Sequence, residues 1–201
     1  MQEQLPGCTS AVRGRSRHPA YCEASTSLCV AGRAGAAILW FLLGWSCVFE
    51  ASAQVQEHEL KAAFIYNFIS FTEWPGKTAT NINICTLGDD PLNISLDALQ
   101  KKTAKGAAIV VHHLYIGDEV KGCHLIFISD SERINFQKIL SSLKSMPILT
   151  VTDSDGFAAQ GVMIELGLEE RRIVFKINAR AAKEAQLMIS SKLLRLAKAV
   201  Y

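Results

Sequence analysis

Between residues 81 and 177, short β-branched and aromatic runs alternate with helix-compatible stretches and Gly-rich turns, and this alternation restricts the fold more than any other feature. Asn81 to Leu87 sets Ile82 and Ile84 against Asn81 and Asn83, and ends at Gly88-Asp89-Asp90-Pro91. A helix is expected from Leu92 to Lys102, then strands over Ala107 to Leu114 and Cys123 to Ser129. Ser131 or Asp130 can cap a helix from Glu132 to Leu143, and Pro147 opens a strand from Ile148 to Thr152. Val162 to Leu168 and Arg172 to Ile177 flank Glu169-Glu170-Arg171 as a hairpin. Asn178 can cap a helix from Ala179 to Gln186, and Ser190 or Ser191 a last one through Val200. The expected class is α/β: a single domain with an open, mostly parallel sheet flanked by helices, closed by a C-terminal β-hairpin and helix.

The helix that opens this unit, Glu57 to Trp74, is apolar over more than half its circumference and so must be largely buried; Pro75-Gly76 stops it. Upstream, the uncharged run from Ala34 to Phe49 follows Arg13, Arg15, Arg17 and Arg33 and precedes Ala51-Ser52-Ala53. This order of cationic region, apolar region and small residues reads as a secretory signal over residues 1–53, leaving a mature domain of residues 54–201. The long cationic region also suits a translation start nearer Arg33. An uncleaved anchor is the alternative, although about 16 apolar residues fall short of the roughly 20 that span a bilayer. Trp45 disfavours lipidation at Cys47, where a small residue is needed.

Of six cysteines, Cys85 and Cys123 stay in the mature domain. In an oxidising compartment they form either a disulfide, contributing about 3 to 4 kcal/mol by loop entropy, or two buried thiols. Neither belongs to a CxxC pair, so no zinc or redox motif is present.

The overall charge of +2 conceals an asymmetry. Residues 54–170 carry 9 basic and 15 acidic groups, while residues 171–201 carry 8 basic and 1 acidic. Nothing in this balance calls for nucleic acid; the basic block faces either an acidic partner or the acidic remainder of its own domain. Lys192, Arg195 and Lys198 recur at helical spacing, giving either a solvated face or a cationic docking stripe.

Catalytic motifs are missing from the sequence. His112 and His113, adjacent in a strand, point to opposite faces and cannot jointly grip a metal. Asp153-Ser154-Asp155-Gly156 has the wrong spacing for a calcium loop and reads as a turn. With no GxSxG, HExxH, Walker A or GxGxxG, no cofactor is expected, and an exported domain of this kind acts by binding. A hydrolase is motivated only by unassigned His and Asp residues near strand ends, such as His124.

Three segments together resemble the YfiR/HmsC family of small exported proteins: KAAFIYNFISFTEWP (Lys61 to Pro75), PILTVTDSDGFAAQGVMIEL (Pro147 to Leu166) and INARAAKEAQLMISSKLLRLAKAV (Ile177 to Val200). Their order and spacing cover nearly all of residues 57–200. The resemblance implies a periplasmic, non-catalytic α/β domain that represses an inner-membrane diguanylate cyclase by binding its periplasmic portion, so lowering cyclic-di-GMP and biofilm formation. It also implies a homodimer, release by an outer-membrane lipoprotein, and a disulfide at Cys85 and Cys123. Members can carry a second cysteine pair where this chain has Asp153, Ser154 and Asp155. Glu165, Leu166 and Leu168 near the hairpin and Lys192, Arg195 and Lys198 at the end are the expected partner-binding residues. The alternative is a periplasmic small-molecule sensor for another membrane partner, with a pocket near Gly88 or Ser129-Asp130 where parallel strands end.

Overall fold

The computed structural model describes residues 49–76 and 80–201, with side chains from Gln54 onward. Most of the expected leader, residues 1–48, lies outside the described residues. The first helix, α1 (Phe49–Phe71), continues through the expected cleavage point.

The β-branched runs form β2 (Asn81–Leu87), β4 (Ala107–Leu114), β5 (Leu125–Ile128), β6 (Leu149–Thr152), β7 (Ile164–Glu169) and β8 (Arg172–Ile177). With three two-residue strands, β1 (Thr72–Glu73), β3 (Thr103–Ala104) and β9 (Met188–Ile189), and a last one, β10 (Ala199–Val200), they make two sheets. The large sheet runs β10-β8-β7-β6-β5-β2-β4-β3, and only β7–β8 and β3–β4 are antiparallel within it. The small one pairs β1 with β9. Helices α2 (Leu92–Asp97), α3 (Phe136–Leu143), α4 (Ala179–Glu184) and α5 (Ser191–Leu196) complete the unit, with a 3-10 turn over Asp130–Asn135.

Side-chain alternation sends each central strand to two cores. Leu125 and Phe127 join Ile65, Phe68 and Ile69 of α1 in one cluster, while Ile126 and Ile128 join Phe136, Ile139 and Leu143 of α3 in the other. Phe68 is fully buried beside Phe175, with ring centroids 5.2 Å apart. Burying such a side chain stabilises by about 2 to 3 kcal/mol.

Several boundaries differ from the sequence expectation, each for a local reason. The first helix ends at Phe71, because Trp74 precedes Pro75 and Thr72-Glu73 turn extended to pair with Ile189 and Met188. The second helix stops at Asp97 rather than Lys102, and Thr103–Ala104 folds back on β4 through Lys105 and Gly106, whose φ values of 54° and 80° suit a type I′ turn. The same turn chemistry at Glu170 and Arg171, φ 47° and 63°, closes the expected β7–β8 hairpin. Ser129, not Ser131 or Asp130, caps the turn after β5, and the α-helix expected from Glu132 begins only at Phe136. Asn178 and Ser190 cap α4 and α5 as expected, accepting from the Ala181 and Leu193 amides. The final helix ends at Leu196, after which residues 199 and 200 pair with Lys176 and Ile177 of β8 as a parallel edge strand.

Candidate functional site

In the large sheet the chain leaves β2 for β4 on one side and then crosses back to β5 on the other. Open α/β sheets usually bind ligands outside the carboxyl ends of the strands at such a reversal. At that place, near Gly88 and Ser129-Asp130, the protein's own groups hydrogen-bond to one another. Ser129 Oγ donates to the Asp89 carbonyl at 2.9 Å, Ser131 Oγ accepts from the Asp89 amide at 3.1 Å, and Ser154 Oγ donates to Asp130 Oδ1 at 2.6 Å. A Cβ on Gly88 would lie 2.4 Å from Ser131 Oγ and 2.9 Å from Glu132 Cγ, so the packing needs glycine there.

The same edge holds a charge network that spans the fold. Lys61 of α1, on the same helical stripe as Ile65 and Phe68, is buried and pairs with Glu57 at 2.8 Å and Asp153 at 2.9 Å. Burial pulls the Lys61 ammonium down, but the hydrogen bonds and charges of Glu57 and Asp153 outweigh it and hold its pKa above the ordinary lysine value. Burial pushes Asp90 up; the Leu92 amide opposes this, the Asp153 charge adds to it, and the net direction is upward.

Among the described residues, the opposite, amino edge is open. A cavity of about 700 Å³ lies where β2, β4, β5 and β6 begin, between Trp74 and Pro75 on one side and Met146, Pro147 and Ile148 on the other. His124 is the hub of this wall. Its backbone amide donates to the Asn83 carbonyl at 2.9 Å, and its carbonyl accepts from Leu149 N at 2.9 Å and from Trp74 Nε1 at 3.0 Å. Its Nδ1 accepts from the Asn83 amide at 3.1 Å, and burial lowers its pKa. Lys105 and Lys121 bring cations to the same cavity.

The expected partner residues divide sharply. Glu165 and Leu166 are 2% and 0% exposed and present no surface to a partner. Glu165 instead accepts from the Ala158 amide at 2.8 Å and from Lys176 Nζ at 2.7 Å. Leu168 is 49% exposed and lines a groove with Leu60 and Ala63 of α1. Lys192 and Arg195 are exposed on α5 and make no ion pair among the described residues. Lys198 is not on their helix: it lies in the extended link to β10, with its ammonium 2.6 Å from Glu169 Oε2 at the hairpin end. The three-residue stripe is thereby reduced to two cations, and Lys198 joins the hairpin to the C-terminal segment.

Cys85 and Cys123 form a disulfide with Cα atoms 5.9 Å apart, within the α3-side core. Of the histidines set aside as structural, His113 lies between Thr86 Oγ1 at 2.8 Å and Asp97 Oδ1 at 2.9 Å, and His112 is exposed. The Lys61 network and the Trp74–His124 wall lie outside the sequence expectations. A lysine on an apolar helical stripe was a readable signal for the first; the second depends on contacts across 50 residues.

Residues 58–198, well over half the chain, match a family model described as YfiR/HmsC-like. The chain belongs to the YfiR/HmsC-like family. The match begins within α1 and ends at Lys198, so it takes in both edges of the sheet and the terminal segment. No curated protein matches the chain. At family level, a YfiR/HmsC-like domain is a periplasmic regulator of cyclic-di-GMP signalling rather than a catalyst, acting with a membrane signalling protein. Among the described residues, no helix is long and apolar enough to cross a membrane.

Proposed function

We propose that this YfiR/HmsC-like chain, exported by a cleaved signal, represses an inner-membrane diguanylate cyclase by binding its periplasmic portion. Family membership across residues 58–198 carries this reading. A soluble regulator of this kind works by binding the inactive state of its partner more tightly than the active one. A homodimer, with an outer-membrane lipoprotein that withdraws it, belongs to the same reading.

The surface best suited to the partner lies where the hairpin end and the terminal segment meet. Leu168 is exposed beside Glu169, Lys198 bridges to Glu169, and α5 adds Arg195, Lys192 and the 70% exposed Leu196. Exposed apolar side chains beside an unpaired arginine supply anchoring energy, and the cations orient an acidic partner. Deletion of the gene should raise cellular cyclic-di-GMP, and only an exported copy should restore it. A copy carrying Lys192→Glu and Arg195→Glu should be exported and folded yet fail to restore repression. Full restoration by that copy would remove α5 from the interface, and an unchanged level in the deletion strain would overturn the repressor reading.

A further inference from the structure

We infer that the amino-edge cavity is a binding site for a small organic anion with a flat apolar body. Its volume of about 700 Å³ is in the range of ligand sites, which run from roughly 300 to 1,000 Å³. The walls are mostly apolar: Trp74, Pro75, Ile82, Met146, Pro147 and Ile148. Trp74 is fixed by its Nε1 hydrogen bond to the His124 carbonyl, so an aromatic face is already in place and little side-chain ordering opposes binding.

The polar groups decide the sign of the ligand. Among the described residues lining the cavity, the charged groups are two lysines, Lys105 and Lys121, and one carboxylate, Glu73. Lys105 donates to the Thr72 carbonyl at 2.5 Å and lies 5.9 Å from the centre of the Trp74 ring, which places its ammonium beside the aromatic wall with further N–H bonds to give. Among the described residues, Lys121 pairs with Glu119 alone, at 3.0 Å, both side chains at least 70% exposed. Such a pair is weak enough to exchange for a ligand. Because His124 Nδ1 accepts from the Asn83 amide, the neutral ring carries its proton on Nε2, which has no partner among the described residues. Two cations and a neutral N–H donor around a flat apolar wall select a carboxylate or sulfonate and disfavour a cation. Leu168, Lys192 and Arg195 are not among the residues lining this cavity, so anion binding and repression of a cyclase can fail independently.

The test uses the full chain and anilinonaphthalene sulfonate as a fluorescent probe, displaced in turn by naphthoate and by the uncharged naphthalenemethanol. One saturable site is expected, with naphthoate displacing the probe at a concentration about tenfold or more below the alcohol. Lys121→Glu, at an exposed position that leaves the thermal unfolding profile intact, should weaken naphthoate about tenfold and leave the alcohol unchanged. Equal potency of acid and alcohol, unsaturable displacement, or unaltered naphthoate binding by the Lys121→Glu chain would each overturn the assignment.

Discussion

Lys61 Nζ of α1 lies 2.9 Å from Asp153 Oδ2, 92 residues away, just after β6. With Glu57 on the same ammonium, the lysine is, among the described residues, the positive charge that faces this partly buried carboxylate cluster. Removing one side of a buried pair typically costs about 3 to 5 kcal/mol, because the remaining charge stays desolvated. Lys61→Met should therefore lower unfolding stability by about 3 kcal/mol, and Asp153→Asn added to it should recover part of the loss. Urea denaturation of the single and double variants checks this. A Lys61→Met midpoint equal to that of the parent chain would refute the account.

The disulfide closes a loop with a sequence separation of 38 inside an apolar cluster that includes Leu87, Ile126 and Ile128. Constraining the unfolded chain over such a loop contributes about 3 to 4 kcal/mol. The paired change Cys85→Ala and Cys123→Ala should lose roughly that amount. Reductant should destabilise the parent and leave the variant where it is; similar sensitivity in both would contradict the prediction.

Much of the fold was legible because each long strand carries its own β-branched signal and the β7–β8 hairpin is flanked by two of them. The four two-residue strands were not, since Thr72–Glu73 or Ala199–Val200 becomes extended only through distant partners, Met188–Ile189 and Lys176–Ile177. Glu165 misled for a different reason. In a sheet covered on both faces, alternation reports which core a residue joins and not whether it meets water, so Glu165 and Leu166 are buried side by side. The amino-edge cavity was invisible in sequence because Trp74, Lys105 and the Lys121–His124 pair come from three separate connections.

Asp90 is an acid placed at a disadvantage. Burial and the Asp153 charge raise its pKa against the pull of the Leu92 amide, so the folded state holds the proton more tightly than the unfolded chain. Its contribution to stability falls as pH rises from the ordinary aspartate value through the raised one, leaving a penalty at neutral pH. Asp90→Asn keeps an oxygen for the Leu92 amide, which Asp90 Oδ1 now accepts at 2.8 Å. The variant should be more stable than the parent at pH 7, and the gain should shrink in acid as the parent carboxylate is protonated. A destabilised variant at neutral pH would show that the charge is needed for the Lys61 network.

Glu165 has the opposite sign. Burial raises its pKa, but the Ala158 amide, Lys176 and the Gly156 amide outweigh that and hold it below the ordinary glutamate value. Its partner Lys176 is raised, chiefly by the hydrogen bond to Glu165. For the acid, the stabilising contribution is complete above the ordinary value of about 4.3 and is lost as pH falls through the lowered folded value; for the lysine, it is complete below about 10.4 and is lost as pH rises through the raised one. Glu165→Gln should thus cost about 2 kcal/mol at neutral pH, since the amide forfeits the charge-assisted bond to Lys176 and only part of the backbone hydrogen bonding is kept. The gap between variant and parent should be largest at neutral pH and narrow at acid pH, as the parent carboxylate takes up a proton. Unfolding free energies from urea titrations at the two pH values measure this directly. A constant gap would mean that Glu165 holds the Gly156–Ala158 loop by shape and hydrogen bonding alone, with no contribution from its ionisation.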